Sequence, residues 1–71
     1  MKLTAVIERE GNGYVSLCPD LDIASQGENV EQARDNLKEA IELFLECASP
    51  EEIKKRLHDE VFVTQAEVTL G

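Results

Sequence analysis

Apolar positions recur with a period of two at both ends of this chain and with a period near 3.6 between them. In residues 2–9, Leu3, Ala5 and Ile7 alternate with Lys2, Thr4 and Glu8, with Val6 as an apolar exception, and this predicts a strand. Glu10-Gly11-Asn12-Gly13 follows, and its Gly and Asn residues tolerate the positive φ of a tight reversal, so a hairpin turn is expected. Residues 14–18 form the returning strand, with Val15 and Leu17 on one face and Tyr14 and Ser16 on the other. Pro19 lacks a ladder donor and ends it. Pro19-Asp20-Leu21-Asp22 is then a connection, residues 23–26 a short third strand, and Gly27 its exit.

The central pattern is helical. Asn29 is a candidate N-cap, with Gln32 three residues on as in a capping box. Val30, Ala33, Leu37, Ala40, Ile41, Phe44 and Ala48 step by threes and fours along one stripe. Glu31, Arg34, Asp35, Lys38, Glu39, Glu42 and Glu46 occupy the opposite face, where Glu31–Arg34 and Asp35–Lys38 are spaced to pair. A second helix starts at Ser49-Pro50-Glu51-Glu52, a cap followed by proline at the first helical position. Lys54, Lys55, Arg56 and His58 close it, as the helix dipole favours, and Ile53 and Leu57 face inward. Residues 61–70 read as a last strand, with Phe62, Thr64, Ala66, Val68 and Leu70 on one face. Val61 and Val63 point the other way, with Gln65, Glu67 and Thr69. Apolar side chains on both faces at one end call for extra cover there, from the short helix or from a second subunit, which makes Val61 and Val63 candidate oligomer contacts.

The expected fold is α+β: one small two-layer domain over residues 1–71, in the order β-β-β-α-(α)-β, with one long helix packed on an antiparallel sheet. One helix covers one sheet face, so the other meets water or a partner. A domain of this size buries only about 60% of its unfolded surface, and oligomerisation is a common remedy.

Charge narrows the function classes. Seven basic against fifteen acidic residues give a net charge of -8, which repels phosphate backbones and disfavours direct nucleic-acid binding. The same field attracts a basic partner, although acidic charge can also serve solubility alone. No apolar run approaches the ~20 residues of a membrane span, and the N-terminus lacks a signal-peptide core, so the cytoplasm is the expected location.

Catalytic chemistry is not expected. His58 sits where a helix dipole favours a cation. Cys18 and Cys47 lack an adjacent base with its orienting group and read as small apolar filler. Two cysteines and one histidine do not complete a zinc site. Asp20 and Asp22 flank Leu21 in a loop, where carboxylates serve as solvated turn residues, as a weak Mg²⁺ pair, or as charge presented to a basic partner. Lys54-Lys55-Arg56 spreads around its helix axis and makes no continuous stripe for nucleic acid. Tyr14 reads equally as an interface anchor and as sheet-surface filler.

Several runs together resemble the short HicB-family antitoxins. They are Ala5-Val6-Ile7-Glu8-Arg9-Glu10, Gly13-Tyr14-Val15, Cys18-Pro19-Asp20-Leu21-Asp22-Ile23-Ala24-Ser25-Gln26-Gly27 with its continuation to Ala33, and Asn36-Leu37-Lys38-Glu39-Ala40-Ile41-Glu42-Leu43-Phe44-Leu45-Glu46. The similarity covers roughly residues 3 to 48, with a looser echo in the last strand. It implies a partial ribonuclease-H-like sheet with a packed helix. It also implies an antitoxin role in a type II toxin–antitoxin pair, with dimers or larger homo-oligomers. The implied partner is a small basic HicA-type toxin that cleaves mRNA, whose RNA-binding surface the antitoxin covers. Longer relatives add a DNA-binding segment that residues 1–71 lack, so operator binding is not expected. Ribonuclease-H-like enzymes need a carboxylate mid-way along the first strand, where this chain has Thr4-Ala5-Val6-Ile7, so nuclease activity is not expected either.

The expectation is therefore an acidic antitoxin-like binding protein without enzyme activity, metal or cofactor, contacting its partner through Tyr14, Asp20 and Asp22. The alternative is an orphan homo-oligomeric domain of the same kind, with a regulatory or scaffold role and Val61 and Val63 at its interface.

Overall fold

Gly11 holds φ at +60°, and the chain reverses there. A lone positive φ at the first central position is the pattern of a type II′ loop, whose twist matches the strands it joins. It links β1 (Val6–Glu10) to β2 (Gly13–Cys18) in antiparallel register, with Glu10 opposite Gly13 and Val6 opposite Leu17. β2 pairs in turn with β3 (Ile23–Gly27), Cys18 opposite Ile23 and Tyr14 opposite Gly27, giving the sheet order β1-β2-β3. α1 (Val30–Cys47) and α2 (Pro50–Arg56) follow. The computed structural model describes residues 1–70. Three antiparallel strands followed by two helices make the small α+β domain that the sequence predicts.

β1 begins later than residue 2 for a specific reason. Beyond Val6–Leu17, the next positions of β2 lead to Pro19, which has no N–H for the ladder. The Thr4 N–H bonds instead to Asp20 Oδ1, 3.1 Å away, and this tethers the N-terminal run to the β2–β3 connection.

Under α1 the sheet offers small side chains. Ser16 and Cys18 of β2 point to the helix, while Val15 and Leu17 lie on the opposite, open face. Ser16 is buried and its hydroxyl donates to the Ala33 carbonyl at 2.8 Å. Gly27 passes so close to α1 that a Cβ there would collide with the Ala33 amide and sit 2.8 Å from the Gln32 carbonyl carbon. Helix and sheet can therefore approach closely only with glycine at that position.

The core is small: Cys18, Leu21 and Leu37 are fully buried, with Leu3, Ile23, Ile41 and Phe44 packed around them and Ala33 buried on the helix. Leu21, in the connection between two aspartates, is a core plug rather than a loop residue. Asp22 after it adopts φ 55°, a left-handed conformation that Asp tolerates better than most side chains.

Both helix caps form. Asn29 Oδ1 accepts from the Gln32 N–H at 2.7 Å, and the Gln32 side chain reaches back to the Glu28 N–H, one residue further than a standard capping box. Ser49 Oγ accepts from the Glu52 N–H at 3.2 Å, with Pro50 in the first turn of α2. α2 closes over the end of α1, where the Arg56 guanidinium lies 5.2 Å from the Phe44 ring centroid and reaches the Leu21 carbonyl at 3.4 Å.

Several expectations are corrected. Residues 61–70 are not a strand here: they pair with no ladder, and Phe62, Val63, Val68 and Leu70 are exposed. Alternation equips a segment for a sheet, but a strand exists only when a neighbour takes its N–H and C=O groups. Val30, at the start of the helical stripe, is half-exposed. Cys47 is exposed rather than filler. Among the described residues α1 forms Arg34–Asp35 at 3.6 Å, and neither Glu31–Arg34 nor Asp35–Lys38 closes.

Candidate protein-binding surfaces

The residues expected at a partner surface fall in three places. Tyr14 lies at the hairpin end of β2, where its hydroxyl accepts from Arg9 Nη2 at 3.2 Å and the guanidinium stands 5.3 Å from the ring centroid. Arg9 and Tyr14 are direct cross-strand partners, so the pair is built by register.

Asp20 and Asp22 lie beyond the other end of β2. Four residue steps along the strand from Tyr14 to Cys18 put them roughly 13 Å or more from Tyr14, so the three do not form one patch. Asp20 is engaged internally. Its carboxylate accepts from the Thr4 N–H and, at 3.7 Å, from the Cys18 thiol, and its carbonyl accepts from the His58 N–H at 2.9 Å. Asp22 is exposed, and its Oδ2 meets His58 Nε2 at 3.0 Å. A carboxylate only accepts, so Nε2 carries the proton. His58 thus fastens the chain after α2 to the β2–β3 connection through its backbone and its ring. No sequence signal linked it to residues 36 positions earlier.

The remaining candidate chemistry is structural in the same way. Burial pushes the Cys18 thiol up from its ordinary value, and the neighbouring Asp20 charge adds to this, so the thiolate that a nucleophile needs is disfavoured. Among the described residues no three His, Cys, Asp or Glu side chains converge as a metal-ligating group. None of their helices is long and apolar enough to cross a membrane.

Three further exposed surfaces among the described residues bear on partner binding. On the solvent side of α1, Glu31, Asp35, Glu39, Glu42 and Glu46 are all exposed. Their spacing puts them on one stripe about 22 Å long. On the open sheet face, Val6, Leu17 and Ala24 stand in one cross-strand row beside Val15. The third is a groove of ≈ 410 Å³ between α1 and the N-terminal run, lined by Leu3, Ala5, Leu37, Ile41 and Leu45 with Arg34, Lys38 and Glu42 at its rim. Val61 and Val63 begin the exposed tail, Val61 half-covered and Val63 exposed.

Comparison with known proteins gives two relatives. A UPF0150 protein of Helicobacter pylori is 50% identical over 46 residues, covering 63% of this chain and 64% of that protein, so this chain spans somewhat less than two thirds of its length. A UPF0150 protein of Synechocystis sp. is 39% identical over 61 residues, covering 83% of each chain. No family model matches the chain. No solved structure matches it. With that identity sustained across most of both sequences, the protein belongs to the UPF0150 family.

Proposed function

We propose that this protein is a HicB-type antitoxin-like binding domain of the cytoplasm. In this reading it neutralises a small basic mRNA-cleaving toxin of the HicA type by covering its RNA-binding surface. The observation that carries the reading is the carboxylate stripe on α1. Glu31, Asp35, Glu39, Glu42 and Glu46 repeat at three- and four-residue steps, where like charges destabilise a helix by about 0.2–0.5 kcal/mol per pair. A stripe that costs helix stability is accounted for when a basic surface docks against it. A ribonuclease that holds RNA phosphates has such a surface, and an acidic helix competes for the same charges. The net charge of -8 and the resemblance to short HicB-type sequences support the same partner chemistry.

The test mixes the purified chain with a basic HicA-type ribonuclease and follows complex formation and RNA cleavage together. Cleavage is expected to stop at stoichiometric binding. Asp35→Lys with Glu39→Lys is expected to slow association at least tenfold at low salt, with little change in unfolding temperature. Asp22→Lys and Tyr14→Ala test the contacts expected at the two ends of β2. Undiminished cleavage in the presence of excess chain overturns the reading, as does Mg²⁺-dependent RNA cleavage by the chain alone that is lost on Asp20→Asn.

The second reading, a homo-oligomeric domain without a toxin, is favoured by the exposure of Phe62, Val63, Val68 and Leu70.

A further inference from the structure

β3 lies at the edge of the sheet away from β1, and the register fixes which of its backbone groups point outward. The two-residue loop after Glu10 makes Glu10 and Gly13 a hydrogen-bonded pair. Alternation then turns Gly13, Val15 and Leu17 toward β1, and Tyr14, Ser16 and Cys18 toward β3. Ile23, Ser25 and Gly27 face back to β2, so the N–H and C=O groups of Ala24 and Gln26 point away from the sheet. Asn36 reaches over from α1 and donates to the Gln26 carbonyl at 2.7 Å. Among the described residues, the Ala24 N–H, the Ala24 carbonyl and the Gln26 N–H have no partner.

Sheet edges are commonly guarded by charge or proline. β1 carries Glu8, Arg9 and Glu10, whereas Ile23-Ala24-Ser25-Gln26-Gly27 has neither a charge nor a proline. α1 starts against Gly27 and runs back past Ile23, which packs on the core of Cys18, Leu21 and Leu37. On the flank of α1 that overlooks β3, Gln32, Asn36, Glu39 and Leu43 succeed one another at three- and four-residue steps. Leu43 is 60% exposed and lies about 10 Å further along the helix than Asn36. At the Gly27 end, the edge opens into a cleft of ≈ 850 Å³ whose lining includes Glu10, Tyr14, Glu28, Gln32 and Asn36 and no basic residue.

Outward backbone donors and acceptors, an exposed leucine beside them and carboxylates along the same side suit one kind of ligand, an extended chain with basic side chains. Glu31, Asp35 and Glu39 of the carboxylate stripe border this flank of α1, so stripe and edge form one continuous surface. A second copy suits the edge less well, because it brings together Glu10, Glu28 and Glu39 of two chains that each carry a net charge of -8. We infer that an extended basic segment of the partner protein adds a strand to β3. It pairs with the outward groups of Ala24 and Gln26, lays an apolar side chain on Leu43 and directs basic ones to Glu28 and Glu39. That the partner is a basic protein rests on the proposed function; its capture through backbone pairing at β3 goes beyond it.

Hydrogen–deuterium exchange of the full chain, alone and with the basic HicA-type ribonuclease, reads the edge directly. The Ala24 and Gln26 amides are expected to exchange rapidly in the chain alone and about tenfold or more slowly in the complex. Ala24→Pro removes an N–H that no internal ladder uses. It is expected to keep the thermal transition of the chain and to weaken the complex about tenfold or more. Leu43→Asp is expected to weaken the complex in the same way. Should Ala24→Pro fail to fold, the exchange rates of the parent chain decide. A complex in which both amides keep their free rates, but which Asp35→Lys with Glu39→Lys still weakens, overturns the strand addition and leaves the proposed function standing. Absence of any complex overturns both. Slowing of the same amides in the chain alone, growing with its concentration, overturns the inference by placing a second copy on the edge.

Discussion

Gly27 and Ser16 together set the spacing between helix and sheet. The missing Cβ of Gly27 lets the first turn of α1 rest against β3, and the Ser16 hydroxyl is held by the Ala33 carbonyl across the same contact. Gly27→Ala places a methyl group against backbone atoms that have no side-chain freedom to yield. It is expected to cost about 3 kcal/mol, read as a fall in urea midpoint with unchanged slope. Cys18, in the same layer, gives the fold a pH dependence. Its folded-state pKa is raised by burial above the ordinary 9.0, so folding favours the protonated thiol. That contribution is complete below pH 9.0 and is lost as pH rises through the folded-state value. Thermal melts from pH 8 upward are therefore expected to show a steeper alkaline loss for the parent chain than for Cys18→Ala, whose melting temperature is lower at neutral pH but falls less.

α1 combines three surfaces on one element: an apolar stripe on the sheet, a carboxylate stripe to solvent and a flank over the groove that carries Arg34, Lys38 and Glu42. Its start is fixed by Asn29, whose side chain satisfies an amide that helix geometry leaves without a partner. Asn29→Ala is expected to cost about 1 kcal/mol, a fall in melting temperature of roughly 4–8 °C for a domain of this size. α2 is too short to hold its place by helix propensity, and its position follows from Arg56 on Phe44 and Leu21 and from His58 on the 20–22 connection. The strands are equally brief, and the long helix overhangs them, which is why Ile41 and Phe44 remain only partly covered.

As a whole, the molecule has more apolar surface than one chain's core covers. Among the described residues four apolar side chains are fully buried, while the tail and the open sheet face present valines, leucines and a phenylalanine to solvent. Partnership is the physical remedy for a domain of this size. The exposed surfaces differ in charge: a carboxylate stripe on the solvent side of α1, and a groove with Arg34, Lys38 and Glu42 at its rim. In the homo-oligomeric reading, folding and association are one process. The melting temperature of the parent chain then rises with its concentration, while that of Phe62→Asp with Val68→Asp does not.

Local physical chemistry, legible in the order of residues, determined the hairpin at Gly11, the end of β2 at Pro19, both helix caps and the stripe of α1. Each depends on groups within a few positions of one another: a φ only glycine reaches easily, a missing N–H, an oxygen three residues from an amide. The acidic balance was equally readable. Tertiary structure alone decided which face of β2 goes under the helix. Hydropathy ranks Val15 and Leu17 above Ser16, yet Ser16 and Cys18 are buried, because close approach at Gly27 favours small side chains there. It also turned Leu21 into core, engaged Asp20 with Thr4 and Cys18, and brought His58 to Asp22. The alternation in residues 61–70 made them fit for a strand. Whether a strand forms there is set by an edge that sequence periodicity does not contain, since backbone groups pair only with a neighbour that the fold or a second chain brings alongside.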